Sequence, residues 1–352
     1  MKAVADANPR SCVTLSMLGI GRMTPTGETT QYANSTVQGP TAIAAGPDGN
    51  LWFSSNSNGR IGSITTGGLI QTYALPSGSQ PSGIVAGIDG NIWFADWTAG
   101  KISRLLLSNP MTIGGLVNSA SFAAGAIAPG EIITIGGSNL GPVSSIGLAL
   151  ASNGNVTTSA GGVSVSFNGY SAPLVYVSSS QINCVVPYEI TGASDVLVRV
   201  SYAGRFSSFS AKGTAASMGI FTLNGSGTGT VAAANSTGGF NGPDNPAAAG
   251  SAITFYMTGE GQTNPAGVTG KVTTVDTSSG GPLTPQPLAG APTVTIGGKP
   301  ATVLFFGEAP SMVAGVMQLN VQIPAGLPSG NLPLIVSLGA ASSQNGVTVA
   351  AQ

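Results

Sequence analysis

Short runs in which apolar and polar residues alternate, each closed by Gly, Pro, Asn or Asp, fill most of the chain. A period of two bounded by turn formers predicts β-strands joined by tight connections, not amphipathic helices. Between residues 20 and 105 the pattern also repeats. Gly46-Pro47-Asp48-Gly49-Asn50-Leu51-Trp52-Phe53 returns as Gly87-Ile88-Asp89-Gly90-Asn91-Ile92-Trp93-Phe94, a shift of 41 residues. At the same shift Tyr32 matches Tyr73, Pro40 matches Pro81, Arg60 matches Lys101 and Ile61 matches Ile102.

Each unit reads as four strands: around Ile43 and Ala45, Leu51 to Phe53, Arg60 to Ile64, and Leu69 to Tyr73. The Asp-Gly-Asn between the first two supplies the positive-φ positions of a tight hairpin. A period near 40 with four strands is the mark of a β-propeller blade. Ile20-Gly21-Arg22-Met23 matches Ile61-Gly62-Ser63-Ile64, so a further blade is expected to survive only as its closing strands. Residues 1–19 are expected to be irregular and 20–107 to form the blades. Two blades and a fragment cannot close a ring of typically 4 to 8 blades. The open edge is expected to come from truncation of a longer propeller. Completion by further copies, and cover by the carboxy-terminal domains, are the other two ways to account for it.

This blade motif resembles the streptogramin (virginiamycin B) lyase family, whose units run through a similar Pro-Asp-Gly-Asn-Leu-Trp-Phe and a Lys/Arg-Ile-Gly strand. The resemblance implies a propeller; in that family lactone-ring elimination uses a histidine base and a metal held by acidic residues. This chain has no histidine. The Thr-Glu that often follows Trp-Phe in the family is Ser54-Ser55 in one unit and Ala95-Asp96 in the other. Shared ancestry without lyase activity is the expectation.

Past Leu107 the period stops and strands lengthen, as in Glu131-Ile132-Ile133-Thr134-Ile135, Val163-Ser164-Val165-Ser166-Phe167 and Val196-Leu197-Val198-Arg199-Val200. These are sandwich signals. Ala128-Pro129-Gly130-Glu131 is echoed by Ala248-Ala249-Gly250-Ser251, and Gln181-Ile182-Asn183 by Gln318-Leu319-Asn320. Two immunoglobulin-like sandwiches of the IPT/TIG kind are expected, at 108–215 and 248–352. A Gly/Ala/Asn-rich connection, 216–247, has little to pack beyond Ile220, Phe221 and Phe240. Val117-Asn118-Ser119-Ala120-Ser121-Phe122, Gly137-Ser138-Asn139-Leu140-Gly141-Pro142 and Thr258-Gly259-Glu260-Gly261-Gln262-Thr263-Asn264-Pro265 resemble a carboxy-terminal domain family of secreted acidobacterial proteins. That likeness implies an accessory module with no assigned activity. The fold class expected is therefore all-β, a partial propeller followed by two sandwiches.

Composition narrows the chemistry. Among 352 residues, 11 are Lys or Arg and 12 are Asp or Glu, a charged fraction of 7% against roughly 25% in ordinary domains. The absence of histidine removes the common triads and His-ligated zinc and haem. A net charge of −1 offers no footprint for nucleic acid or an anionic membrane. No window is long and apolar enough for a membrane helix, and Val13 to Ile20 makes no clear signal peptide. Cys12 and Cys184 fall in unlike contexts, and no disulfide is expected.

No Asp-x-Asp-x-Asp calcium loop, phosphate loop or nucleophile elbow occurs; no cofactor, metal site or catalytic residue is expected. Asp48 and Asp89 read as hairpin-turn residues, Trp52 and Trp93 as core. Glu131 and Glu260 are expected to bond local backbone N–H groups. Trp97 stands apart, because its repeat counterpart is Asn56. With Asp96 it forms the candidate contact for a sugar or peptide. The chain thus reads as a non-catalytic, secreted or cell-surface module with a protein or glycan partner. A carbohydrate- or peptide-binding protein and an inactive lyase-like relic are the alternatives, and the open propeller edge offers a route to self-association.

Overall fold

The computed structural model describes residues 4–5, 12–16, 19–24, 26–107, 110–202, 205–274 and 285–352. The protein is all-β, a partial propeller followed by immunoglobulin-like sandwiches. It divides into two compact units, Met1–Ile113 with Val200–Ser208, and Gly114–Arg199 with Phe209–Gln352.

The first unit is built from three antiparallel sheets. Strands Pro40–Ala45, Leu51–Ser55, Arg60–Ile64 and Ile70–Ala74 form the middle one, in sequence order. Its hairpin closes at Gly49, φ 79°, and the equivalent turn of the third sheet at Gly90, φ 72°, a left-handed backbone that glycine adopts without penalty. The first sheet comprises Val4–Ala5, Cys12–Ser16, Gly19–Met23 and Thr29–Ala33. Residues 1–19, expected to be irregular, therefore supply two of its strands. Val13-Thr14-Leu15-Ser16 alternates as a strand should, and Leu15 pairs with Ile20, although the stretch preserves nothing of the 41-residue motif.

Neighbouring sheets pack through clusters that the repeat explains. Ile20 meets Ile43, Leu51, Phe53 and Ile64 between the first and second sheets. Trp52 and Ile61 meet Ile92 and Phe94 between the second and third. The second sheet therefore carries Leu51 and Phe53 on the face toward the sheet before it, and Trp52 and Ile61 on the face toward the sheet after. Burying such an Ile stabilises by about 1.5–3 kcal/mol.

Among the described residues the third sheet holds only Pro81–Ala86, Ile92–Asp96 and Lys101–Leu105. By the shift of 41, its fourth strand would be Met111–Gly115. That segment instead enters the strand Thr112–Asn118, which pairs with Ile132–Ser138. Glycine stands at 114, where the fourth strands of the other sheets carry Tyr32 and Tyr73.

In the second unit, Thr112–Asn118, Ile132–Ser138, Gln181–Val185, Leu174–Val177 and Ile146–Gly147 form one sheet of the first sandwich. Val163–Phe167 and Asp195–Tyr202 are central in the other. Val163, Val165 and Phe167, like Val196 and Val198, are buried on alternate positions, as a sandwich requires. Cys184 is buried and free; the side chain of Cys12 lies outside the described residues.

The second sandwich is one continuous sheet that folds on itself. The ten-residue strand Lys299–Glu308 pairs through Lys299–Ala301 with Thr293–Ile296 and through Thr302–Glu308 with Val316–Gln322. Its register shifts between Val303 and Phe305, the bend that lets a single strand serve both layers. The stretch 216–247, expected to be a connection, belongs to this sheet. Gly219–Ile220 and Ala233–Asn235 pair with Ala252–Thr258, and Gly229–Thr230 pairs with Val347–Ala351. Ile220, Val231 and Ala233 join its core, whereas Phe240 is 71% exposed. Strands of two or three residues are too short for alternation to announce them. A seam of Ile132, Val185, Ala309, Val313 and Val316 joins the two sandwiches.

Candidate functional site

Asp96 ends the strand Ile92–Asp96, and its carboxylate turns inward. It accepts the backbone N–H of Gln80 at 3.0 Å and of Ala99 at 3.4 Å and is only 6% exposed. The Gln80 N–H holds its carboxyl below the usual range. Trp97, one residue on, is 79% exposed. The chain neighbours are thus divided, the acid closing a turn and the indole facing solvent. A cleft of about 520 Å³ beside Asp96 is walled by Pro76, Phe94, Lys101 and Arg104, without Trp97.

Asp48 and Asp89 are committed to their hairpins. Asp48 accepts Asn50 N–H at 3.2 Å and the Trp52 indole N–H at 2.8 Å. Asp89 accepts Asn91 N–H at 3.2 Å, the Trp93 indole at 3.0 Å and Arg104 at 3.0 Å. Burial would raise the Asp89 carboxyl, but the hydrogen bonds from Trp93, Asn91 and Arg104 together hold it below the usual range. Arg104 also lies 5.4 Å from the centre of the Trp93 ring, a cation–π arrangement.

The second unit gathers three more acids and a tyrosine. Glu131, beside the strand Ile132–Ser138, accepts Ala128 N–H at 2.7 Å, Asn118 Nδ2 at 2.9 Å and the Ser217 hydroxyl at 3.1 Å. Glu308 accepts the Tyr188 hydroxyl at 2.9 Å and the Thr273 hydroxyl at 2.9 Å. Glu260 sits between Gly259 and Gly261, both at positive φ. A Cβ on Gly259 would meet the Ser217 carbonyl and one on Gly261 the Ala215 carbonyl, so only glycine fits on either side of it. Both Glu260 oxygens are shut off from solvent and lack a hydrogen-bond partner among the described residues.

Burial dominates the electrostatics of this group. It pushes the Glu131 carboxyl up to about 7 against the pull of its three donors. It pushes Glu260 up to about 8, with the charges of Glu308 and Glu131 adding to the rise. It also raises Glu308, against the pull of Thr273, Tyr188 and Lys271, and it raises the Tyr188 phenol. Glu131 does bond a local N–H, as its sequence context suggests, and Glu260 does not. Tyr188, Thr273 and Glu308 carry no sequence motif; a lone acid ending the apolar run Val303-Leu304-Phe305-Phe306 was the one signal available for Glu308. Among the described residues no group of three or more Cys, Asp or Glu is placed to hold a metal ion. A cleft of about 580 Å³ reaches Glu260 from Pro129, Thr191, Thr214 and Leu288, while the carboxylate oxygens themselves stay covered.

Two family models match the chain. Residues 12–133 match the virginiamycin B lyase family, and residues 116–227 match the IPT/TIG domain. The two matches overlap around the strand Thr112–Asn118 and its continuation, where blade repeat gives way to sandwich. No curated protein matches the sequence. Among solved structures, virginiamycin B lyase from Staphylococcus aureus is 17% identical, covering 91% of this chain and 94% of that one, at a TM-score of 0.26. A streptogramin B lyase is 18% identical over 64% and 74% of the two chains, at 0.26. The SGBP-B protein of a Bacteroides ovatus mixed-linkage glucan utilization locus, in complex with a heptasaccharide, is 13% identical over 82% and 58%, at 0.30. Scores of this size carry no argument about activity. The histidine base that the lyase resemblance implies has no counterpart in the sequence.

Proposed function

We propose that the chain is a non-catalytic extracellular or cell-surface module whose β domains present edges and loops to a partner. The observation that carries this reading is the disposition of its acids. With no histidine in the sequence, general acid–base work would fall to carboxylates. Among the described acids, Asp48, Asp89 and Asp96 are engaged by turns, Glu131 and Glu308 by buried donors, Glu189 by Thr269 and Asp195 by Lys212, Glu260 is walled off, and Glu28 and Asp244 lie exposed on the surface. No helix among the described residues is long and apolar enough to cross a membrane, and the low charge suits an extracellular surface built from hydroxyl and amide groups. The test is a turnover assay on a streptogramin with added magnesium; no product is expected. Product formation that is lost on substituting one acid would overturn the reading.

A second reading, glycan or peptide binding by the blades, is favoured by the exposure of Trp97, a flat ring open to stacking. Asp96 contributes to it only by fixing the turn that presents the ring. Glycan-array binding that disappears in Trp97→Ala is the expected support; binding that survives the substitution would remove the site.

A further inference from the structure

The third blade sheet ends on a bare strand, and the repeat specifies what is missing from it. In the first sheet, Gly19–Met23 is covered by Thr29–Ala33, with Ile20 opposite Tyr32 and Gly19 opposite Ala33. In the second, Arg60–Ile64 is covered by Ile70–Ala74, with Ile61 opposite Tyr73 and Arg60 opposite Ala74. The covering strands read Thr-Thr-Gln-Tyr-Ala and Ile-Gln-Thr-Tyr-Ala. Tyr32 packs against the cluster that holds Ile20, and Tyr73 stacks on Trp52 at 5.6 Å and 21°.

Lys101–Leu105 is the edge of its sheet, and no fourth strand pairs with it among the described residues. Ile61 is 0% exposed and its counterpart Ile102 is 69% exposed. Val85 is exposed on the same face, beside Trp93. The chain's own candidate for the place, Met111–Gly115, lacks the tyrosine and is drawn into the strand Thr112–Asn118.

We propose that the Lys101–Leu105 edge is a docking site for an extended segment of another polypeptide, which adds as a fourth antiparallel strand. The segment carries Tyr-Ala with Tyr opposite Ile102 and Ala opposite Lys101, preceded by small polar residues opposite Ser103 and Arg104. Main-chain hydrogen bonds supply affinity in this mode, and the side chain that meets a pocket supplies specificity. The pocket here is the Ile102–Trp93 surface, framed by the Arg104 guanidinium, on which an aromatic ring can stack. A second copy inserting its first blade behind this face is disfavoured. The first-blade residues matching Leu51, Phe53 and Ile70 of the buried faces are Arg10, Cys12 and Thr29.

The inference rests on the reading of the chain as an interaction module and names its partner chemistry. A labelled nonapeptide copying residues 68–76, Gly-Leu-Ile-Gln-Thr-Tyr-Ala-Leu-Pro, is titrated with the full chain by fluorescence anisotropy. Hydrogen exchange then locates the protected amides. Saturable binding with new protection at 101–105 is expected. It should weaken at least about tenfold, equivalent to about 1.4 kcal/mol, in Ile102→Glu and with a peptide carrying Ser for Tyr. Ile102 is exposed, so the variant should fold, and an unchanged melting curve verifies this. No saturation at millimolar peptide, protection elsewhere, or insensitivity to Ile102→Glu would overturn the proposal. So would a discrete dimer of the chain abolished by Ile102→Glu, since the occupant would then be the same edge of a second copy. Failure of the peptide together with an absence of streptogramin turnover removes this site and leaves the non-catalytic reading standing.

Discussion

The second and third sheets of the repeat share a motif at a shift of 41 residues and end differently. In one, Ile61 and Trp52 are sealed beneath a neighbour and a fourth strand completes the sheet; in the other, Ile102 is open and the outer edge of the last strand has no partner among the described residues. The motif dictates the hairpin and the inner strands, because Asp-Gly-Asn, the indole above it and the alternation after it are all local. Whether the sheet is completed depends on the chain that follows. At Met111–Gly115 a tyrosine has become glycine, and the segment serves a sandwich strand instead. Sheet edges left in this state invite pairing unless charge or twist protects them. Lys101 and Arg104 give this one modest protection.

Glutamate at the two equivalent positions breaks the comparison most sharply. Ile61→Glu places a charge in a closed cluster and should cost about 4 kcal/mol or more, enough to unfold the blades. Ile102→Glu should stay within about 0.5 kcal/mol of the parent. Urea denaturation checks both; similar losses would mean that the third sheet is covered.

A second contrast lies in how the two regions hold their acids. Asp89 and Asp96 sit at turns with their charge supported, while Glu131, Glu260 and Glu308 are sunk in the second unit. Glu131→Ala strands three donors at Ala128, Asn118 and Ser217 and should cost about 3 kcal/mol, read from the same denaturation curves.

The pH dependence should follow the same division. Glu131 and Glu260 have folded-state values of about 7 and 8, raised from 4.5. Between pH 4.5 and those values the folded chain holds more protons than the unfolded one, so stability falls as pH rises through that window. The loss is on the order of 3 kcal/mol for Glu131 and about 5 kcal/mol for Glu260 and is complete above about pH 8. Asp89 and Asp96, whose carboxyls are lowered, act with the opposite sign and only in the acid range, gaining stability as pH rises through it. Calorimetry from pH 5 to 9 should therefore show a falling melting temperature, and Glu260→Gln should flatten the upper part of the fall. A melting temperature that stays flat over this window would show that these carboxyls are ionised as readily in the fold as outside it, and one that rises would show that the fold favours their charge. The smallest effect is expected from Trp97→Ala, which removes a ring that is open to solvent and should leave stability within about 0.5 kcal/mol.

Much of this architecture is legible in the sequence where structure is local. The blade hairpins, the buried Trp52 and the alternating sandwich strands follow from spacing alone, whereas Trp93, expected in the core by the same spacing, is only half-buried because its face of the third sheet, with Ile102 and Val85, is open. Cys12–Ser16 escaped because it keeps a strand pattern without the repeat motif, and Gly219–Ile220 because two residues have no period. The engagement of Asp96 by Gln80 depends on a contact 16 residues back along the chain, set by how a strand ends. The Tyr188–Glu308 bond spans 120 residues and exists only once both sandwich sheets have formed. Neither could be read from residue types in order.

Native-state hydrogen exchange, followed amide by amide in the two equivalent strands, tests the difference between the sheets most directly. Among the described residues Arg60–Ile64 lies between two partners and Lys101–Leu105 has one, so the outward-facing amides of 101–105 should exchange at least about a hundredfold faster than their counterparts in 60–64. Equal protection of the two strands would contradict the account, because the third sheet would then have no open edge.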